Sequence, residues 1–334
     1  MSLSLLSPRG LSSLPPGQVL GGFHIGAAVP PPVDWPLQHL STPVLDGGGA
    51  RLECWMLPDG ATIQAGQRAG LAWRRSGDLL FGVVQVEEAD TVPERGRSAL
   101  QQAAFDSYAR IFRLLDAQGL PHLWRLWNYM ADINGESDGL ERYRQFNMGR
   151  GDAFEAGARS VVGRVPAACA LGVASGPLTV AFLAGATPIV PVENPRQVSA
   201  FLYPDRYGPR SPTFSRAALV HPPGQEILFV SGTASIVGHE TVHPGDVRAQ
   251  TAESLDNIEA VLAEASGLAR TGSFALSDLG LRAYLRHPVD LDAVREVMVQ
   301  RLGDAPVTYV QADVCRADLL VEIEGQAVRA RAGG

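Results

Sequence analysis

Near the C-terminus, the run Cys315-Arg316-Ala317-Asp318-Leu319-Leu320-Val321-Glu322-Ile323-Glu324-Gly325 alternates so that Glu322 and Glu324 fall on one face of a strand, with Val321 and Ile323 on the other. On a solvated sheet edge the two carboxylates would be ordinary surface charge. Turned into an apolar pocket, the same face would desolvate a carboxyl, raise its pKa toward neutrality and make it a general acid. Alternation alone leaves both readings open.

Other residues with chemical potential are easier to sort. His239-Glu240-Thr241-Val242-His243 spells HExxH, the spacing that sets two zinc-binding histidines on one helical face. Gly238 precedes it and Pro244 and Gly245 follow, so an exposed turn is predicted instead and no metal site is expected. Cys54, Cys169 and Cys315 lie far apart without CxxC spacing and read as reduced thiols. There is no GxSxG, Walker A or strand-linked GxGxxG. The segment PRQVSAFLYPDRYGPRSPTF (195–214) carries Arg206, Tyr207 and Arg210, which could present planar donors to a carboxylate or form a solvated loop.

The elements that must position these residues are written twice. A strand at 79–86 precedes a helix with Leu100, Ala104, Tyr108, Ile111, Phe112 and Leu115 on one stripe, stopped by Gly119. A strand at 123–133 follows, then a helix N-capped by Asp138 with Leu140, Tyr143 and Phe146, and apolar strands at 168–173 and 178–185. The order returns with a strand at 226–232 and a helix carrying Leu255, Ile258, Leu262 and Ala265, stopped by Gly267. After it come a strand, a helix behind Asp290 with Leu291, Val294, Met298 and Leu302, and strands at 307–314 and 319–325. One common offset separates Phe81 from Phe229, Gly119 from Gly267 and Leu120 from Leu268, although the helix stripes match better with a one-residue slip. Aligning LTVAFLAG with LLVEIEG sets Ala181 against Glu322, so carboxylate chemistry would belong to the second unit only.

A length of 334 residues fits two domains. The expected division is an N-terminal extension at 1–50, a first domain at 51–194, a connecting segment at 195–216 and a second domain at 217–334. Repeated Pro and Gly without periodicity make 26–50 a wrapping loop. A net charge of −7 leaves no broad basic field for nucleic acid. The apolar runs of MSLSLLSPRGLSSLPPG are too short for a signal core or a membrane span, which reads as a loose leader on a cytoplasmic protein.

The runs FVSGTASIVG, GDVRAQTAESLDNIEAVLAEASGL and LLVEIEG resemble the Rid (YjgF) family, in which a sheet with two helices assembles into a trimeric barrel with clefts between units. With RLWNYMADINGESDGLERYRQFNMGR (125–150), YPDRYGPRSP, SGTASIVGHET and CRADLLVEIEG added, the chain resembles the chorismatases over most of its length. The resemblance implies an α+β fold of two Rid/YjgF-like (chorismate-mutase-like barrel) units in tandem, mixed sheets with helices packed on one face. It also implies a cytoplasmic enzyme that cleaves chorismate to pyruvate and a ring acid without metal or organic cofactor.

On that resemblance Glu322 matches the family's catalytic Glu, which protonates the methylene carbon of the enolpyruvyl ether. Arg142, Tyr143, Tyr207, Arg210 and Arg316, with Asn128, become candidate contacts for the two substrate carboxylates, and Ala234 a subtype position. Cys315 resembles the subtype that forms 3-hydroxybenzoate, with 4-hydroxybenzoate as a further product; a subtype without this Cys releases a dihydroxycyclohexadiene carboxylate. Val307 stands where Rid imine deaminases carry an Arg, which argues against imine deamination. A non-catalytic Rid-like protein that binds a small acid is the alternative of a different class. Whether three chains associate, or the duplication replaces part of a trimer, stays open.

Overall fold

The structure is a computed structural model that describes residues 3–7, 13–47, 49–94 and 96–331; part of the expected leader, residues 1–2 and 8–12, lies outside the described residues. The strands are β1 (Ser4–Leu6), β2 (Val19–Ile25), β3 (Leu37–Leu40), β4 (Arg51–Met56), β5 (Gln64–Arg68), β6 (Leu71–Ser76), β7 (Leu79–Val86), β8 (His122–Ala131), β9 (Glu136–Ser137), β10 (Leu140–Glu141), β11 (Ala167–Val173) and β12 (Leu178–Gly185). They continue with β13 (Ile189–Val192), β14 (Ala217–Val220), β15 (Gln225–Ala234), β16 (Ile236–Val237), β17 (Glu240–Thr241), β18 (Gly280–Leu285), β19 (Val307–Gln311) and β20 (Val321–Ala330). The α-helices are α1 (Ala99–Gln118), α2 (Arg142–Ala156), α3 (Val247–Leu268) and α4 (Leu291–Leu302).

Two six-stranded sheets repeat one topology, β5-β6-β7-β12-β8-β11 and β13-β14-β15-β20-β18-β19. Each step is antiparallel except the last, where β8 with β11 and β18 with β19 run parallel. Ala181 lies across from Trp127 in the first sheet and Glu322 across from Tyr284 in the second, which are matched places. The tandem α+β architecture is therefore present, with the carboxylate in one copy.

Each sheet buries one face under its two helices. The α1 stripe of Leu100, Ala104, Tyr108, Ile111, Phe112 and Leu115 is buried in full, between a Ser98 cap that accepts from Gln101 N and Gly119 in the left-handed region at φ 65°. At about 1.5–3 kcal/mol for each large apolar side chain, such a stripe outweighs any propensity of the isolated helix. The opposite faces of both sheets meet in a shared interior that includes Phe81, Trp127, Tyr129, Phe229 and Tyr284.

The N-terminal region departs from the expectation. β1, β2, β3 and β4 form a sheet of order β1-β4-β2-β3, and Leu20, Phe23, Ile25, Leu40 and Trp55 enter the shared interior. The boundary expected at Arg51 falls inside this sheet, the segment expected to wrap as a loop contributes β3 to it, and the sheet forms a third wall. β13, expected before the connecting segment, pairs with β14 in the second sheet. Asp138 is no helix cap: with φ 52° it turns the β9–β10 hairpin beside Gly139 at φ 75°, and Glu141 precedes α2. Gly267 lies inside α3, which ends one residue later. No helix of the described residues is long and apolar enough to cross a membrane.

Candidate active site

The edge strand β11 of the first sheet approaches β15 of the second, with Ala167 bridging to Ser215 and Ala168 N donating to Ser231 Oγ at 2.9 Å. Along this seam lies a cavity of about 320 Å³. β11 lends it Cys169, β15 Gly232 and Ala234, α2 Tyr143 and Arg150, and the segment before β20 Cys315 and Arg316. Tyr203, Arg206, Tyr207, Phe214 and Arg216 arrive from the segment between the units, and Glu322 from β20.

Glu322 is 4 % exposed and has no hydrogen-bond partner among the described residues. Burial first, then the neighbouring Glu324 carboxylate, push its pKa up to about 8 against a weaker opposing pull from Arg125. At neutral pH the group is a carboxylic acid buried at the cavity wall, which excludes the solvated-edge reading. Its partner on the strand face behaves oppositely. Burial opposes ionisation of Glu324, but Arg125, Arg282 and the Tyr284 hydroxyl outweigh it and hold that pKa below the usual range.

Cys315 is half-buried at the cavity; desolvation and the nearby Glu322 push its pKa up to about 12, so it is a neutral thiol rather than a thiolate. The Tyr143 phenol is likewise pushed up, by burial and by Cys315. Tyr207 donates to His239 O at 2.6 Å, and its ring carries the Arg316 guanidinium at 4.1 Å from the centroid. Glu322, Cys315, Tyr143, Tyr207, Arg316 and Ala234 thus meet around one space.

Three candidates do not join them. Arg142 forms a two-point pair with Glu88 and also donates to Ala131 O at 2.9 Å, so its guanidinium is spent holding α2 to the sheet end. Arg210 pairs at two points with Glu155. Asn128, fully buried, accepts from Tyr108 OH at 2.6 Å and donates to Cys169 O at 2.8 Å, a structural clamp behind the cavity wall. The HExxH run forms the β16–β17 hairpin, with Gly238 at φ 60° and His243 at φ 58°, so no helix aligns its histidines.

Two arginines went unrecognised in the sequence. Arg150 contacts Asn147 Oδ1 at 2.8 Å and Arg216 contacts Val198 O and Tyr203 OH at 2.8 Å each. Of the cavity arginines, Arg144 and Arg206 have carboxylate partners, Glu141 and Glu240. Arg150, Arg216 and Arg316 have no ion pair among the described residues, and each keeps a buried guanidinium nitrogen without a hydrogen-bond partner there. Three arginines without a close carboxylate partner around one cavity suit a ligand with more than one negative charge. Nothing in the spacing of Arg150, inside a helix, or Arg216, before a strand, marks them out.

Comparison with known proteins fits this geometry. A family model described as "Chorismatase FkbO/Hyg5-like, N-terminal" matches residues 53–184. A protein named chorismatase from Streptomyces rapamycinicus is 46% identical over 272 residues, 78% of this chain and 78% of that one. A protein named 3-hydroxybenzoate synthase from Streptomyces hygroscopicus is 38% identical over 284 residues, 82% of this chain and 80% of that one. A crystal structure of a chorismatase superposes with a TM-score of 0.85 at 35% identity, covering 97% of each chain. With this identity sustained over more than three quarters of its length, the chain belongs to the chorismatase family.

Proposed function

We propose that this enzyme cleaves chorismate to pyruvate and 3-hydroxybenzoate, with Glu322 as the proton donor. The observation that carries the reading is a buried, neutral carboxyl at a cavity bearing three unpaired arginines. Chorismate is a dianion with an enolpyruvyl ether, so it needs cations at its two carboxylates and an acid at the methylene carbon. Proton transfer from Glu322 forms the new C–H bond and leaves an oxocarbenium ion. Capture of that ion by the adjacent ring hydroxyl ties both ring oxygens to the side chain. Loss of the proton on the ether-bearing ring carbon, with breakage of the captured hydroxyl's own ring C–O bond, aromatises the ring. Cleavage of the ether then leaves the ether oxygen on the ring while the other oxygen departs as the keto oxygen of pyruvate, whereas capture by water would release the dihydroxycyclohexadiene carboxylate. An acid already protonated and desolvated meets the requirement of the first step.

Arg150, Arg216 and Arg316 are assigned to the substrate carboxylates, with Tyr143 and Tyr207 lining the ring. The product assignment draws on the neutral Cys315 thiol at the cavity and on the relative named 3-hydroxybenzoate synthase. Three cysteines free of disulfides support a reducing, cytoplasmic setting. Incubation with chorismate followed by separation of the products tests the reading. Stoichiometric pyruvate and 3-hydroxybenzoate are expected. Absence of pyruvate overturns it, and a dihydroxycyclohexadiene carboxylate as the ring product overturns the product assignment.

A further inference from the structure

Behind Glu322 the barrel interior contains a buried ionic cluster that the proton transfer does not use. Glu324 is 2 % and Arg125 1 % exposed. One carboxylate oxygen of Glu324 accepts from Arg125 Nη2; the other accepts from Arg282 Nη1 at 3.0 Å and from Tyr284 OH at 2.8 Å. Arg282 reaches on to Glu53 on the N-terminal sheet and to Tyr129 OH at 3.2 Å. All three walls of the interior contribute, and two arginines balance two glutamates while Glu322 is neutral.

The duplication explains how the cluster arose in geometric terms. Arg125 lies across from Leu183 on β12, and Arg282 across from Glu324 on β20, in matched places of the two repeats. Two equivalent arginines converge on the shared interior, and only the second repeat supplies a carboxylate between them.

We propose that Glu324 is a positioning residue for Glu322: it holds the Arg125 guanidinium on itself and so keeps that cation from pairing with the proton donor. The inference rests on the reading of Glu322 as the donor. Arg125 is the cation that acts on Glu322, and its buried Nη1 has no hydrogen-bond partner among the described residues, so a second carboxylate contact is open to it. Glu324 lies two residues from Glu322 on the same strand face and competes for it directly.

The other groups around Glu322 cannot substitute. From the neighbouring elements these are Cys169, Tyr284, Tyr143 and Cys315, all neutral at pH 7 because burial raises each of them. The remaining charges at the cavity are Arg150, Arg216, Arg316 and the Glu141–Arg144 and Arg206–Glu240 pairs. None of these binds Arg125.

The test compares wild type, Glu324→Gln, Arg125→Met and the double variant by the pH dependence of kcat/KM and by the infrared carbonyl band of protonated Glu322, assigned by its loss in Glu322→Gln. Glu324→Gln should move the alkaline limb at least one pH unit lower and cut kcat at pH 7.5 by about threefold or more, with KM changed less. The double variant should return the limb toward wild type, because the cation has gone with its anchor. Unmoved limbs in Glu324→Gln, or the same limb in the single and double variants, overturn the inference. Should Glu324→Gln not fold, Arg125→Met alone must raise the limb, and an unchanged limb overturns it equally. Full activity in Glu322→Gln would instead remove the donor assignment, a result separable from the others.

Discussion

A Cβ built on Gly232 would fall 1.8 Å from Oε1 of Glu322 and 2.6 Å from its carboxyl carbon. The carboxyl therefore occupies the volume that any other residue at 232 would fill. Gly232 sits where β15 loses register with β20, between Val230 and Thr233, and this irregularity opens the ladder beside the acid. Cys169 closes the other side, with its Cβ 3.2 Å from the same point.

Gly232→Ala should accordingly displace the carboxyl by about 1 Å and lower kcat by about a hundredfold, since misplacement of that size is costly to proton transfer. Steady-state kinetics beside a thermal melt checks this. An active Gly232→Ala enzyme would mean that Glu322 need not hold its observed place.

The pKa of about 8 at Glu322 sets both an activity limb and a stability trend. On the proposed role of Glu322 as proton donor, activity needs the protonated acid, so kcat/KM should fall as pH rises through about 8. The folded pKa lies above the ordinary 4.5, so the unfolded chain ionises first and stability drains away as pH rises from about 4.5 to about 8. Glu322→Gln escapes this loss. It should be at least a thousandfold less active yet more stable than wild type, by on the order of a few kcal/mol at pH 8 and by little at pH 4. Denaturant unfolding at the two pH values measures the difference.

Cations at the cavity should govern binding more than turnover. Arg150→Met removes a buried guanidinium that has no carboxylate partner, and KM for chorismate should rise about tenfold or more, by the loss of a charge-assisted contact. Arg210→Ala removes solvent-facing pairs with Glu155 and Asp152 and should leave KM within about twofold and stability within about 1 kcal/mol. Parallel KM values for the two variants would undo the separation between lining and outlying arginines.

Periodicity carried the helices of the repeated units, each of which buries one stripe, while the central strands, buried on both faces, read as continuous apolar runs, and the alignment of Ala181 with Glu322 survives in the register. The N-terminal wall was illegible because β2 contains two glycines and no alternation, being buried along its whole length. At the site, a strand pattern could place Glu322 and Glu324 together but could not say that one would be neutral and the other ionised. That difference depends on Arg125 and Arg282, which come from other strands and are remote in sequence. Arg142 and Arg210 looked equivalent to Arg316 until their carboxylate partners were seen.

The fate of the ring should separate from the release of pyruvate at Cys315. Its thiol is held neutral by burial and by the neighbouring Glu322, so it can pass or receive a proton but is not poised as a nucleophile. In the proposed mechanism proton transfer to the enol ether needs only Glu322, whereas aromatisation needs a proton taken from the ring. Cys315→Ala should therefore release pyruvate within about threefold of the wild-type rate while the ratio of ring products changes, a conservative expectation for a contact outside the first proton transfer. Chromatography of the ring acids together with a coupled pyruvate assay reads both quantities from one reaction. An unchanged product ratio in Cys315→Ala would leave the thiol a packing residue between Tyr143 and Glu322, and aromatisation would then have to proceed without it.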